Sequence, residues 1–124
     1  MNERDNAWLD SLFASIDSRD TSAFVSHLTP NAEFIFGNMQ PVSGQEQIAS
    51  QVEEFFQSIR GLHHVLLEHW RCDDTLICRG MVTYLRHDEH EVVLPFANFM
   101  KRDGQLACKY QIYGDVSPIY APAS

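Results

Sequence analysis

Three side chains in this sequence pair reactive chemistry with an apolar setting: Asp115, His64 and Tyr84. A carboxylate closing a strand that also carries Gln111 and Tyr113 can serve as general acid or base if burial raises its pKa. It can equally end the strand by accepting N–H bonds from the turn at Val116 and Ser117. An imidazole exchanges protons near neutrality, which makes His64 the second acid/base candidate, or a half-exposed strand residue. The hydroxyl of Tyr84 can pack in a core or donate to a carbonyl or enolate oxygen. Together these groups would move protons beside a carbonyl with no cofactor.

Other chemistries find less support. His87-Asp88-Glu89-His90-Glu91 holds imidazoles and carboxylates in a row, but a hairpin turn is expected there and would splay them into water, so no metal site is assigned. His63, His64 and His69 match no common zinc spacing. Cys72, Cys78 and Cys108 form no Cys-x-x-Cys pair and read as free thiols. There is no Gly-x-Ser-x-Gly elbow and no glycine-rich phosphate loop, so neither nucleophilic catalysis nor a nucleotide or redox cofactor is implied.

A net charge of −8 without a basic cluster argues against nucleic acid and against an anionic membrane surface. No apolar run approaches the roughly 18 residues of a membrane span, and Met1-Asn2-Glu3-Arg4-Asp5 is too polar to open a signal peptide. A soluble, cytoplasmic protein is expected. With 124 residues, 44% of them hydrophobic, the chain (1–124) should form one domain with enough apolar material to line a cavity.

The elements that must position these groups follow from one switch of hydrophobic period. Ala7, Trp8, Leu9, Leu12, Phe13 and Ile16 recur at helical spacing, with Asn2 or Asp5 available as cap. Asp20 caps a short second helix facing Phe24, Val25 and Leu28 inward before Pro30. Residues 32–36 read as a strand and 37–42 as a loop. Ser43-Gly44-Gln45-Glu46 is a capping box that opens a third helix, whose apolar face is Ile48, Val52, Phe55, Phe56 and Ile59, and Gly61 ends it. Strands then fit 63–72, 76–86, 91–101 and 105–115, and their short turns force antiparallel neighbours. Pro118 and Pro122 suggest a loose tail.

Alternation of period two puts Tyr84 with Arg86 on one face, and Gln111, Tyr113 and Asp115 together on another, all taken as inward. The strand of His64 is open to two readings. Either His64, Leu66, Glu68 and Trp70 face the pocket, or His63, Val65, Leu67 and His69 do, since a slip of one residue exchanges the faces.

The residues Val92-Val93-Leu94-Pro95-Phe96-Ala97-Asn98-Phe99, the turn Lys101-Arg102-Asp103-Gly104-Gln105 and the run Tyr110-Gln111-Ile112-Tyr113-Gly114-Asp115, placed after a helical first half, make the chain resemble the nuclear transport factor 2-like superfamily. That superfamily includes ketosteroid isomerases and SnoaL-like polyketide cyclases. The resemblance implies an α+β fold, a cone-shaped half-barrel in which three N-terminal helices pack on a strongly curved antiparallel sheet. It also implies a hollow for an apolar small molecule, lined here by Phe36, Trp70, Ala97, Phe99, Gln111 and Tyr113. A homodimer through the outer sheet face is implied too, with Met81, Leu85 and Ile112 as candidates.

The isomerase base, tyrosine and protonated aspartate fall on Phe36, Leu12 and Ala97, none of which moves a proton. Residues of the limonene-epoxide-hydrolase type fall on Arg79, on Met81 or Thr83, and on Gln111, which also argues against that reaction. SnoaL-like cyclases use an aspartate as acid/base, the role the resemblance suggests for Asp115. A non-catalytic binding or dimerisation module, its cone filled by Phe34, Phe36, Phe56 and Phe99, is the competing reading.

Overall fold

The computed structural model describes residues 3–122, so Asn2, one of the candidate caps, lies outside them. Helix α1 (Glu3–Asp17) precedes α2 (Thr21–Val25), β1 (Leu28–Phe36), the two-residue β2 (Val42–Ser43) and α3 (Gln45–Gln57). Four long strands follow, namely β3 (Gly61–Cys72), β4 (Thr75–Leu85), β5 (Glu91–Asp103) and β6 (Leu106–Tyr113), and a 3-10 turn (Ser117–Tyr120) ends the described chain. Among the described residues no helix is long and apolar enough to cross a membrane.

The strands form one sheet in the order β2-β1-β6-β5-β4-β3. Its hairpins are antiparallel as expected, but β1 runs parallel to β6, with Phe34 opposite Tyr110 and Phe36 opposite Ile112. The sheet is therefore mixed and stays open. The three helices cover its concave face, where Leu9, Leu12, Phe34, Ile48, Leu76, Met100 and Tyr110 are fully buried.

Local signals account for most boundaries. Asp20 accepts from the Ala23 N–H at 3.0 Å and caps α2 as its position suggests. Helix α2 stops at Val25, so Leu28 and Pro30 belong to β1, and a shift in the β1–β6 register between Leu28 and Glu33 accommodates the proline. The capping box does not form. Gly44 is the N-cap of α3 at φ 90°, with no side-chain cap, and Gln45 instead donates to the Leu28 carbonyl at 2.8 Å. Gly61 opens β3 rather than ending α3, whose C-cap is Ser58. The C-terminal segment is tied down: Ile119 is buried, and Arg86 donates to the Ala121 carbonyl at 2.6 Å.

One irregularity decides which residues reach the concave face. In the β3–β4 ladder Leu66 pairs with Gly80 and Glu68 with Arg79, leaving Leu67 as a bulge. A Cβ on Gly80 would stand 2.0 Å from the Val65 carbonyl oxygen. Gly80→Ala must therefore open the ladder or shift the bulge, and should cost about 3 kcal/mol or more, read from the urea midpoint. An unchanged midpoint would show that the ladder can yield at no cost.

Candidate functional site

Helices α1, α2 and α3 and the inner faces of β1, β3, β4, β5 and β6 line an apolar cavity of about 50 Å3. Most of its wall is aromatic, including Phe24, Phe34, Phe36, Phe55, Phe56 and Phe96. Four side chains in the wall carry polar atoms: His64, Tyr84, Asn98 and Tyr110.

His64 is tied to helix α1 through Asp17. Its Nδ1 lies 2.6 Å from Asp17 Oδ1, and its backbone N–H donates to Asp17 Oδ2 at 3.0 Å. A carboxylate only accepts, so Nδ1 carries the proton and Nε2 is left as the basic nitrogen of the neutral ring. The ring is clamped between Phe13 and Phe96, with centroids at 4.9 and 5.1 Å. His63 faces outward and only flanks the carboxylate, its Nδ1 3.6 Å from Asp17 Oδ2.

Tyr84 is buried, and burial raises its pKa well above the usual value, so the hydroxyl stays protonated and can act only as a neutral donor or acceptor. Burial likewise raises Tyr110. Asn98 is 2% exposed; its Nδ2 donates to the Tyr110 hydroxyl at 3.3 Å, while its Oδ1 is buried with no partner. A half-turn of the amide exchanges the two atoms: Tyr110 then donates to Oδ1 and the unpartnered position becomes an N–H donor. Either way one buried amide position is unused by the protein.

The same burial pushes the Cys78 thiol up to about 12. At pH 8 it carries almost no thiolate, so a disulfide dye should react with exposed Cys72, more slowly with Cys108, and with Cys78 only after unfolding in urea. Fast labelling of Cys78 in the native protein would contradict this burial.

Of the catalytic and substrate-binding candidates, the structure gathers His64, Tyr84 and Phe36 at the cavity, where Phe34 and Phe56 of the filled-cone reading also lie. The others lie elsewhere. Asp115 is exposed beyond β6, where the backbone N–H and then the side chain of Ser117 hold its carboxyl below the usual range, so the raised pKa is corrected to a lowered one. Ala97 and Tyr113 line a groove on the convex side with Arg79 and Met81. Gln111 pairs with Phe99, which stacks edge to face on Tyr113 at 5.5 Å on that same side, the two rings being 42% and 51% exposed.

Trp70 and Glu68 are turned outward by the bulge at Leu67, and both line a surface hollow on β3. Ile112, taken as outward, lines the cavity instead. His87 to His90 form the expected turn, with Asp88 Oδ1 accepting from the His90 N–H at 3.1 Å. Among the described residues no three His, Cys, Asp or Glu side chains converge as metal ligands do.

Three polar site residues escaped the sequence reading: Asp17, Asn98 and Tyr110. Asp17 falls between the two helices the spacing predicts, where no local pattern marks it, and its partner is 47 positions away. Asn98 was passed over because Ala97 was assigned inward; the one signal for it was a lone amide in an apolar strand, in phase with Phe96 and Met100.

An open mixed sheet curved around three helices, with a small apolar cavity at its centre, defines the nuclear transport factor 2-like class of α+β proteins. Within that class the model of the SnoaL-like domain matches residues 9–109, and the chain belongs to this family. No curated protein matches the sequence.

Solved structures share the fold at low identity. One is a proposed SnoaL-like polyketide cyclase from Jannaschia sp. CCS1, 17% identical over 94% of this chain and 92% of that one, with a TM-score of 0.80. Another is a proposed polyketide cyclase from Xanthomonas campestris, 13% identical over 94% and 93%, with a TM-score of 0.83. A third is a hypothetical protein with a ketosteroid isomerase-like fold from Catenulispora acidiphila in complex with trimethylamine, 14% identical over 90% and 88%, with a TM-score of 0.82.

Proposed function

We propose that this protein carries out cofactor-independent acid/base chemistry on an apolar, carbonyl-bearing small molecule. The observation that carries the reading is the His64–Asp17 pair, held at 2.6 Å with the imidazole in the wall of an aromatic cavity. In this scheme His64 Nε2 takes a proton from the carbon next to the carbonyl. The C–H electron pair becomes a carbon–carbon double bond, and the carbonyl electrons move onto oxygen as an enolate. Neutral Tyr84 is the donor at hand for that oxygen, joined by the Asn98 amide once a half-turn lets Tyr110 donate to its Oδ1 and frees its N–H. Asp17 faces the imidazolium so formed, and the proton returns to the same or another carbon. Neighbours named as polyketide cyclases fit this class of substrate. The test is exchange of the α-protons of a carbonyl compound in deuterated water, followed by NMR, with His64→Asn as the control.

A non-catalytic binding module is the second reading, and one observation favours it. The cavity of about 50 Å3 is far below the roughly 300–1,000 Å3 of ordinary ligand pockets. Exchange no faster than in buffer, together with tight binding, would select it.

We also infer a homodimer through the convex face of the sheet, where Val65, Val93, Phe99 and Tyr113 are exposed. Sedimentation at micromolar concentration should give twice the 14.2 kDa of one chain, and a monomer mass would refute the dimer. The three free thiols fit a reducing, cytoplasmic location.

A further inference from the structure

A carbonyl compound of more than a few heavy atoms cannot fit whole into the 50 Å3 beside His64. Just outside, between α3 and the chain after β6, lies a groove of about 540 Å3. Phe36 and Phe55 line both spaces. Their rings meet edge to face with centroids 4.9 Å apart, and Phe55 also stands edge-on to Tyr84 at 5.9 Å. These two rings are the partition between groove and cavity.

The groove has one polar and one mostly apolar wall, the Tyr120 hydroxyl on the second lying 2.8 Å from Ser58 Oγ on the first. Gln47, Ser50, Gln51 and Glu54 recur at helical spacing along one face of α3, and its C-cap Ser58 continues the row. Met39, Val42, Val116 and Tyr120 form the other side, and among the described residues no Lys, Arg or His lines the groove. Gln51 is under-satisfied at both ends of its amide. Its Oε1 is buried without a partner, and its Nε2 reaches only the Met39 sulfur at 4.0 Å, a weak acceptor. A hydroxyl both donates and accepts, so a ligand hydroxyl can serve either end of that amide as it rotates.

We propose that this groove binds the body of the substrate, a neutral ring system bearing a hydroxyl that Gln51 recognises, and that Phe36 and Phe55 part to pass its carbonyl end to His64. The proposal rests on the acid/base reading and adds the place, polarity and route of the substrate. An anionic body is disfavoured, because Glu54 stands in the groove and no cation among the described residues lines it.

The probe is 6-hydroxy-1-tetralone, titrated by NMR at slightly acidic pH against 1-tetralone and 6-carboxy-1-tetralone. The hydroxylated ketone should bind about five- to tenfold more tightly than 1-tetralone, shifting signals of α3 and of the His64 ring together, and the carboxylate should not bind. Gln51→Leu should erase the preference for the hydroxyl. Val116→Trp and Ser50→Trp, which fill the groove from opposite sides, should each weaken binding, and a dispersed spectrum verifies that each variant folds.

Retained preference in Gln51→Leu, wild-type affinity in both tryptophan variants, or shifts at His64 without shifts in the groove would each overturn the proposal. Groove shifts that never reach His64 would remove the passage and overturn it too. His64→Asn keeps the two ideas apart. If it abolishes exchange while filling the groove changes nothing, the groove fails alone; if it leaves exchange intact while the groove binds as described, the acid/base reading fails alone.

Discussion

Replacing His64 by Asn should slow α-proton exchange of a bound ketone by about 10²–10⁴-fold, the usual contribution of a positioned general base. The substitution keeps a side-chain donor that can still reach Asp17, so the tie between the end of α1 and β3 survives and loss of folding does not explain the result. Asp17→Asn should fall between His64→Asn and the wild type. The amide keeps an acceptor for Nδ1–H but removes the charge that faces the imidazolium. Asp115→Asn should leave exchange unchanged, because its carboxyl lies outside the cavity and is already ionised well below neutral pH. If His64→Asn exchanges as fast as the wild type, the imidazole is not the base.

The contrast between His64 and Asp115 shows what the sequence made legible. Helices α1 and α3, the turns at Asp73, at 87–90 and at Gly104, and the long strands were all readable, because each rests on local spacing or on turn chemistry. The faces of β5 and β6 were not. In Val92-Val93-Leu94-Pro95-Phe96 both sides of the strand are apolar, so alternation does not mark the inside, and a slip of one residue moved Ala97 and Phe99 to the wrong face.

The same slip on β6 brought Gln111, Tyr113 and Asp115 inward and left Tyr110 and Ile112 out. On β3 the reading with His64 inward holds as far as Leu66. Beyond it the bulge at Leu67 reverses the phase, so Glu68 meets Arg79 outside, with Arg79 Nε donating at 2.7 Å. A bulge is set by a glycine on the neighbouring strand, and no local pattern on β3 announces it. Asp17 shows the same limit, since its role exists only through a contact the fold makes.

The largest effect on stability should come from Asp5→Ala. Asp5 is 3% exposed in the first turn of α1 and accepts from Arg102 Nη2 at 2.7 Å, while Arg71 Nε approaches its other oxygen at 3.5 Å. The Arg102 guanidinium also lies 5.1 Å from the Trp8 ring, and Trp8 Nε1 donates to the Gln105 carbonyl at 2.7 Å. One carboxylate thus fixes the start of α1 to the ends of β3 and β5.

Truncating Asp5 leaves a buried guanidinium without its counter-charge, which costs about 3–5 kcal/mol, a large part of the roughly 5–15 kcal/mol that holds a typical domain together. Urea unfolding with an unchanged slope is the measurement. Asp5→Leu combined with Arg102→Met removes both charges and keeps apolar volume, so it should recover most of the loss. If the double variant is no better than Asp5→Ala, the cost is lost packing rather than an unpaired charge. Asp17, at the other end of α1, keeps its own contact with His64 in all of these variants. Exchange measured well below the unfolding midpoint should therefore stay at the wild-type rate while stability falls.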